Sequence, residues 1–233
     1  MALSAPIFQL KRTAKALSRT EEIPLNQALN RVAIQEGFSS WSQLVSSPSA
    51  LSLPAQLFNQ LEPGDLLLLG GRPQQGKTAM ALKVLVEAMK RGHQGVFFTL
   101  DYNKQDIAKL FAKIGTNSQK FENLFRFDNS DEIDAHYIMQ RMGTAPSGAV
   151  IVIDYLQLLD QRRRSPIISV QVEALKSFAH KHNFIIVFIS QIDRSFELSA
   201  KPFPDRQDVR LPNPLDLSLF NKACFVNDGQ AQM

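Results

Sequence analysis

The residues best equipped for chemistry are Gly71-Arg72-Pro73-Gln74-Gln75-Gly76-Lys77-Thr78, spaced G-x-x-x-x-G-K-[ST]. Gly71 and Gly76 allow a tight turn that brings backbone N–H groups against phosphate oxygens. A lysine in the place of Lys77 reaches the β- and γ-phosphates of a nucleotide, and a hydroxyl in the place of Thr78 ligates Mg²⁺. Such a spacing arises by chance in about one chain in a hundred of this size, so its surroundings decide. Before it, Asp65-Leu66-Leu67-Leu68-Leu69 is a short apolar run that predicts a buried parallel strand. After it, Ala79 to Arg91 sets Met80, Leu82, Val84, Leu85, Ala88 and Met89 against Lys83, Glu87, Lys90 and Arg91, an amphipathic helix closed by Gly92. Strand, glycine loop and helix are the context the spacing requires, and the helix N-terminus adds its own partial positive charge. The plain alternative is a glycine turn with a solvated Lys77.

A second landmark is Gly148-Ala149-Val150-Ile151-Val152-Ile153-Asp154, a β-branched run closed by an acid. This is the Walker B pattern, common alone and informative beside the phosphate loop. A buried strand delivers its final carboxylate to the carboxyl edge of the sheet, where α/β folds bind ligands. Asp154 and Thr78 are therefore the expected Mg²⁺ ligands, with Asp154 acting directly or through water.

Other elements must hold these two. Gly95 to Leu100 predicts a second buried strand ending at Asp101, Leu124 to Asp128 a short one, and Phe184 to Ile189 a fourth ending in Ser190-Gln191. Helices are expected over Lys104–Ala112, Asp131–Met142 and Val170–Asn183. From Asp193 to about Pro214 the chain is polar and proline-bearing and predicts a mobile loop. A turn of helix over Leu215–Lys222, a last strand over Ala223–Val226 and a frayed end complete the chain.

Residues 1–47 read as a separate small helical unit. Phe8, Leu10, Ala14 and Leu17 recur at helical spacing, Pro24 to Gly37 carries a second apolar stripe, and Ser39 or Ser40 caps a third helix holding Trp41 and Leu44. The first helix carries Lys11, Arg12, Lys15 and Arg19 with no acid. Two readings stay open: a docking or nucleic-acid-binding module, with a protein partner held through residues 1–47, or a helix pair with a solvated basic face. Residues 48–54 are a Ser/Pro-rich linker, and residues 55–233 form the α/β domain.

Composition limits the classes. The chain has 233 residues, 44% hydrophobic and 21% charged, the proportions of an ordinary globular protein. No apolar run reaches the ~18–20 residues of a membrane span, so no membrane role is expected. Cys224 is the single cysteine, which excludes an intramolecular disulfide and fits a reducing compartment. Net charge is +4, compatible with a polyanionic partner, and Arg162-Arg163-Arg164 concentrates part of it.

Four stretches together resemble the RecA-like ATPase domain of the bacterial replicative DNA helicase, the DnaB type. They are Gly71 to Thr78, Phe97-Phe98-Thr99-Leu100-Asp101, Ile153-Asp154-Tyr155-Leu156-Gln157-Leu158, and Ile189-Ser190-Gln191-Ile192-Asp193-Arg194. The likeness implies an α/β P-loop NTPase fold with a mostly parallel central sheet behind a small helical amino-terminal unit. It implies ATP and Mg²⁺ as cofactors, hydrolysis with Lys77, Asp101 and Gln191 as the catalytic set, a homo-oligomeric, hexamer-like ring, and a cytoplasmic protein of bacterial or phage origin. Asp101 stands where the family has a water-activating Glu, one methylene longer, and Gln191 stands where a polar residue senses the γ-phosphate. The loops at 160–169 and 194–214 correspond to those that line the channel for single-stranded DNA, so Arg162, Arg163, Arg164 and Arg194 are the expected nucleic-acid contacts. The family also carries a basic residue on a hairpin after its last strand that reaches a neighbour's ATP site, and no such arginine finger is evident before Met233. Rival expectations are a low-turnover nucleotide switch and a KaiC-like or recombinase-like ATPase.

Overall fold

A computed structural model describes residues 3–5, 7–47, 51–160, 165–199, 201–227 and 230–233, without the side chain of Phe8. The chain forms two compact units, residues 1–56 and 57–233.

The first unit contains helices α1 (Ile7–Thr20), α2 (Leu25–Gln35) and α3 (Trp41–Ser46). The α1 and α2 stripes meet over Leu10, Ala14, Ala28, Val32 and Ala33, and Leu44 of α3 closes this core. Ser40 caps α3, its hydroxyl accepting from the Gln43 N–H. Helix α4 (Leu53–Asn59) begins inside the Ser/Pro-rich stretch.

The second unit is a seven-stranded sheet: β1 (Leu66–Gly71), β2 (Gly95–Thr99), β3 (Phe125–Asp128), β4 (Val150–Asp154), β5 (Ile185–Gln191), β6 (Lys222–Asn227) and β7 (Gln230–Gln232). Their spatial order is β3-β2-β4-β5-β1-β6-β7, all parallel except the final β6–β7 pair. The central strands are buried on both faces, which explains their unbroken apolar runs. Alternate residues serve opposite layers. Leu66, Leu68, Ile151, Ile153, Ile186 and Phe188 meet helices α7 (Ala135–Met142) and α8 (Ile168–His182). Leu67, Leu69, Phe97, Val152, Val187 and Ile189 meet α5 (Lys77–Lys90) and α6 (Lys104–Lys113). Gln171 of α8 is a buried polar tie: its Oε1 accepts from the Ala135 N–H at 3.0 Å, and its Nε2 donates to the carbonyls of Leu159 and Pro166. No described helix is long and apolar enough to cross a membrane.

Three expectations are corrected. The segment from Asp193 to Pro214 is organised, with 3₁₀ turns at Arg194–Leu198 and Arg206–Asp208 and a bridge between Ile192 and Val209. Its polarity is used internally: the Asp193 N–H donates to the Asp208 carbonyl at 2.7 Å, and Lys201 pairs with Asp205 and Asp208. The chain end is not frayed but forms β7, antiparallel to β6. Helix α7 starts at Ala135 rather than Asp131, because the Asp134 side chain accepts from the Tyr137 N–H and so fixes the cap there.

Candidate nucleotide site

Parallel pairing aligns the ends of the strands. Thr99, Asp154, Ile189 and Leu69 stand level across the sheet, and Gly71 and Gln191 are paired two residues further on. The predicted Asp154, Gln191 and phosphate-loop residues thus converge on one carboxyl edge, as ligand binding in such sheets requires.

The loop itself is built for close approach. A Cβ on Gly71 would lie 2.8 Å from the Val226 carbonyl oxygen, so only glycine lets β1 pass β6 here. Gln74 (φ +65°) and Gly76 (φ +85°) are left-handed and curl the chain into α5, whose first residue is Lys77. The Lys77 Nζ donates to the carbonyl of Arg72 at 2.8 Å, folding the ammonium over its own loop. Burial, with the Arg72 charge adding, pulls the Lys77 ammonium below its ordinary value, and Asp154 works against that pull.

Thr78, one residue on, joins the two landmarks. Its hydroxyl donates to Asp154 Oδ2 at 2.9 Å, across 76 positions of sequence. Asp154 is 5% exposed, and burial pushes its carboxyl up to about 6, with the Asp101 charge raising it further and the Thr78 hydrogen bond and Lys77 opposing. A buried carboxylate beside a hydroxyl, facing a helix N-terminus and a lysine, fits an Mg²⁺–nucleotide: the cation would relieve the uncompensated charge.

Asp101 follows β2 on the exposed surface, close enough to act on Asp154 through its charge. Its N–H donates to Thr99 Oγ1 at 3.1 Å. Gln191 ends β5 and is partly buried, its carbonyl accepting from the Arg210 N–H at 2.8 Å. It lines a cleft of about 480 Å³ with Arg72, Pro73, Ile192, Asp193, Arg194 and Arg210. Arg194 is exposed, whereas Arg162, Arg163 and Arg164 lie outside the described residues.

Sequence reasoning passed over several neighbours. Tyr102 is hydrogen-bonded to Thr78, and burial raises its phenol above the ordinary value. The Arg72 guanidinium pairs with Glu197, tying the phosphate loop to the Arg194–Leu198 turn. Gln157, quoted within a motif but given no task, donates from Nε2 to the Arg210 carbonyl at 2.7 Å and to Ser190 Oγ at 3.4 Å. Its Oε1 is buried with no partner among the described residues. Only Tyr102 carried a sequence signal, as an aromatic directly after Asp101; the others are joined across 33 to 125 positions.

Residues 56–203 match the family model described as ATPase: KaiC. Among curated proteins, the chain is 25% identical to the replicative DNA helicase DnaB of Leifsonia xyli subsp. xyli over 222 residues, 81% of this chain and 48% of that protein. It is likewise 25% identical to DnaB of Rickettsia felis over 230 residues, 81% of this chain and 46% of that one. The chain thus spans about half the length of these relatives. Among solved structures, one described as an ATPase domain superposes with a TM-score of 0.54 at 20% identity, covering 64% of this chain and 65% of that one. A DnaB-like replicative helicase, described with its interactions with primase, gives 0.52 at 20%, covering 64% and 44%. The fold is RecA-like, α/β, with the mostly parallel sheet of these ATPase domains.

Proposed function

Because the chain belongs to the KaiC family of ATPases, we propose that it binds ATP with Mg²⁺ and hydrolyses it, coupled to single-stranded DNA in the manner of a replicative helicase. The observation that carries this reading is the Thr78–Asp154 hydrogen bond at the start of α5, which unites the two halves of a metal–phosphate site.

The roles follow from position. The N–H groups of Gly71 to Thr78, all but Pro73, cradle the β- and γ-phosphates. Lys77 exchanges the Arg72 carbonyl for a phosphate oxygen. Thr78 and Asp154 hold Mg²⁺, which when bound neutralises charge developing on the phosphates. Asp101 takes a proton from a water as that water's oxygen attacks the γ-phosphorus. The bond to the bridging oxygen breaks, and ADP carries away the electron pair. Gln191 reads the γ-phosphate. Arg194, with Arg162, Arg163 and Arg164, holds the phosphates of the single strand. Assembly into a ring of like chains belongs to the same reading, as an implication of the four-motif likeness.

The test is steady-state ATP hydrolysis with Mg²⁺, with and without single-stranded DNA, using Lys77→Ala as the blank. Severalfold stimulation by DNA, absent in the blank, is expected. Tight ATP binding with negligible turnover under both conditions would sink the motor reading. It would favour a nucleotide switch instead, a reading that the short, exposed carboxylate of Asp101 supports.

A further inference from the structure

Helix α1 has two faces of opposite character. Leu10 and Ala14 are buried in the core of the first unit, with Ile7 and Leu17 packed beside them. Lys11, Arg12, Lys15 and Arg19 are all exposed. At about 100° per residue, these four fall within an arc of about 100° pointing away from Leu10 and Ala14. Along the axis, Lys11 to Arg19 spans about 12 Å at 1.5 Å per residue.

Nothing described neutralises this stripe. The helix contains no acid. In residues 1–56 five cations face only three acids. Of the acids, Glu21 is taken by Arg31, and Glu36 accepts from the N–H and hydroxyl of Ser4. Glu22 lies past the end of α1, in a left-handed turn. No ion pair to Lys11, Arg12, Lys15 or Arg19 occurs among the described residues. The rest of the exposed surface of α1 is uncharged: Gln9, Thr13, Ala16 and Thr20.

The geometry points to α1 as a docking surface for duplex DNA. A duplex presents one negative charge per about 1.7 Å of axis, so the stripe faces several phosphates, and each one neutralised releases counterions. The major groove, about 12 Å wide, admits a helix of this diameter. An anionic membrane is the weaker match. A helix that lies in a bilayer inserts an apolar face, and the apolar face of α1 is spent on its own core. This surface belongs to the first unit, whereas the single-strand contacts were proposed for the second.

The experiment compares the full chain with the quadruple variant Lys11→Gln, Arg12→Gln, Lys15→Gln, Arg19→Gln. A fluorescein-labelled 30-base-pair duplex and its single strand are titrated by anisotropy over a range of salt. Circular dichroism and basal Mg–ATP turnover check that the variant is intact. A charge-keeping control, Lys11→Arg with Lys15→Arg, accompanies it. Expected is a fall of about 3 in the magnitude of the log–log salt slope on duplex, so that from 50 to 200 mM salt the wild type loses roughly 60-fold more affinity than the variant. The Arg control keeps the wild-type slope. A duplex slope left within about 1 of the wild-type value overturns the proposal, whatever happens on the single strand. So does absence of duplex binding by the wild type at 50 mM salt, or equal capture by phosphatidylserine vesicles. A wild type whose turnover is not stimulated by single strand, with the duplex slope effect intact, would remove the helicase reading and leave this one standing.

Discussion

Changing Asp154 to Asn separates what this carboxylate does for the ligand from what it does to the fold. In the folded chain its carboxyl is held at about 6 against an ordinary 3.8, chiefly because it is buried and secondarily through Asp101. The folded pKa is raised, so the folded state binds the proton more tightly than the unfolded chain. Stability is therefore fullest below about 3.8 and is lost as pH rises through about 6. Above that, the protein carries the full destabilisation of a buried charge, on the order of 3 kcal/mol at about 1.36 kcal/mol per pH unit. Asparagine keeps an oxygen to accept from the Thr78 hydroxyl and removes the charge. Without metal or nucleotide, Asp154→Asn should exceed the wild type by about 2–3 kcal/mol at pH 7.5, with the gap closing toward pH 4. Guanidinium unfolding in EDTA at several pH values measures this. Circular dichroism is the better probe, since the single tryptophan, Trp41, reports the first unit. With Mg–ATP present the order should reverse, because the variant loses the ligand and its linked stabilisation. A variant less stable than the wild type at pH 7.5, or a gap that does not change with pH, would refute the reasoning.

Other outcomes follow from the same geometry. Asp101→Glu restores the methylene that the helicase pattern has and should raise DNA-stimulated turnover by roughly 10- to 100-fold, while Asp101→Asn should abolish it; equal rates in all three would remove Asp101 from the chemistry. Gln171→Ala strands the Ala135 N–H and the carbonyls of Leu159 and Pro166, and should cost about 2–4 kcal/mol in chemical unfolding with little change in nucleotide affinity. Unchanged stability would show that water replaces the tie.

The legible parts of this molecule are those whose cause is local. Gly71, Gly76, Lys77 and Thr78 announce their loop because a phosphate cradle is made within eight consecutive residues, and the β-branched run before Asp154 betrays a strand buried on both faces. The residues around them were not legible. Arg72 meets Glu197 across 125 positions and Gln157 meets Arg210 across 53, and no spacing rule encodes such pairs. The Asp193–Pro214 segment misled for a related reason. Its polar residues look solvated in sequence, yet Asp193, Asp205 and Asp208 spend their groups on turns and on Lys201. Likewise Gln230–Gln232 has no apolar alternation to mark a strand, and backbone pairing with β6 makes it one.

The place of β1 also bears on how the molecule is made. The strand that launches the phosphate loop lies between β5 and β6, neither of which is its neighbour in sequence. On the ribosome, β1 therefore emerges long before the strands it pairs with. Residues 186–191 must follow on one side and 222–226 on the other, and the Val226 carbonyl that crowds Gly71 arrives about 150 residues later. Its first partner, β5, arrives about 120 residues after it, which at roughly 5–20 residues per second is about 6–24 s during which an apolar strand has no neighbour to pair with. Contacts of such long range also slow folding after release. The strand that carries the phosphate loop is thus flanked on both sides only after residues 222–226 have been synthesised.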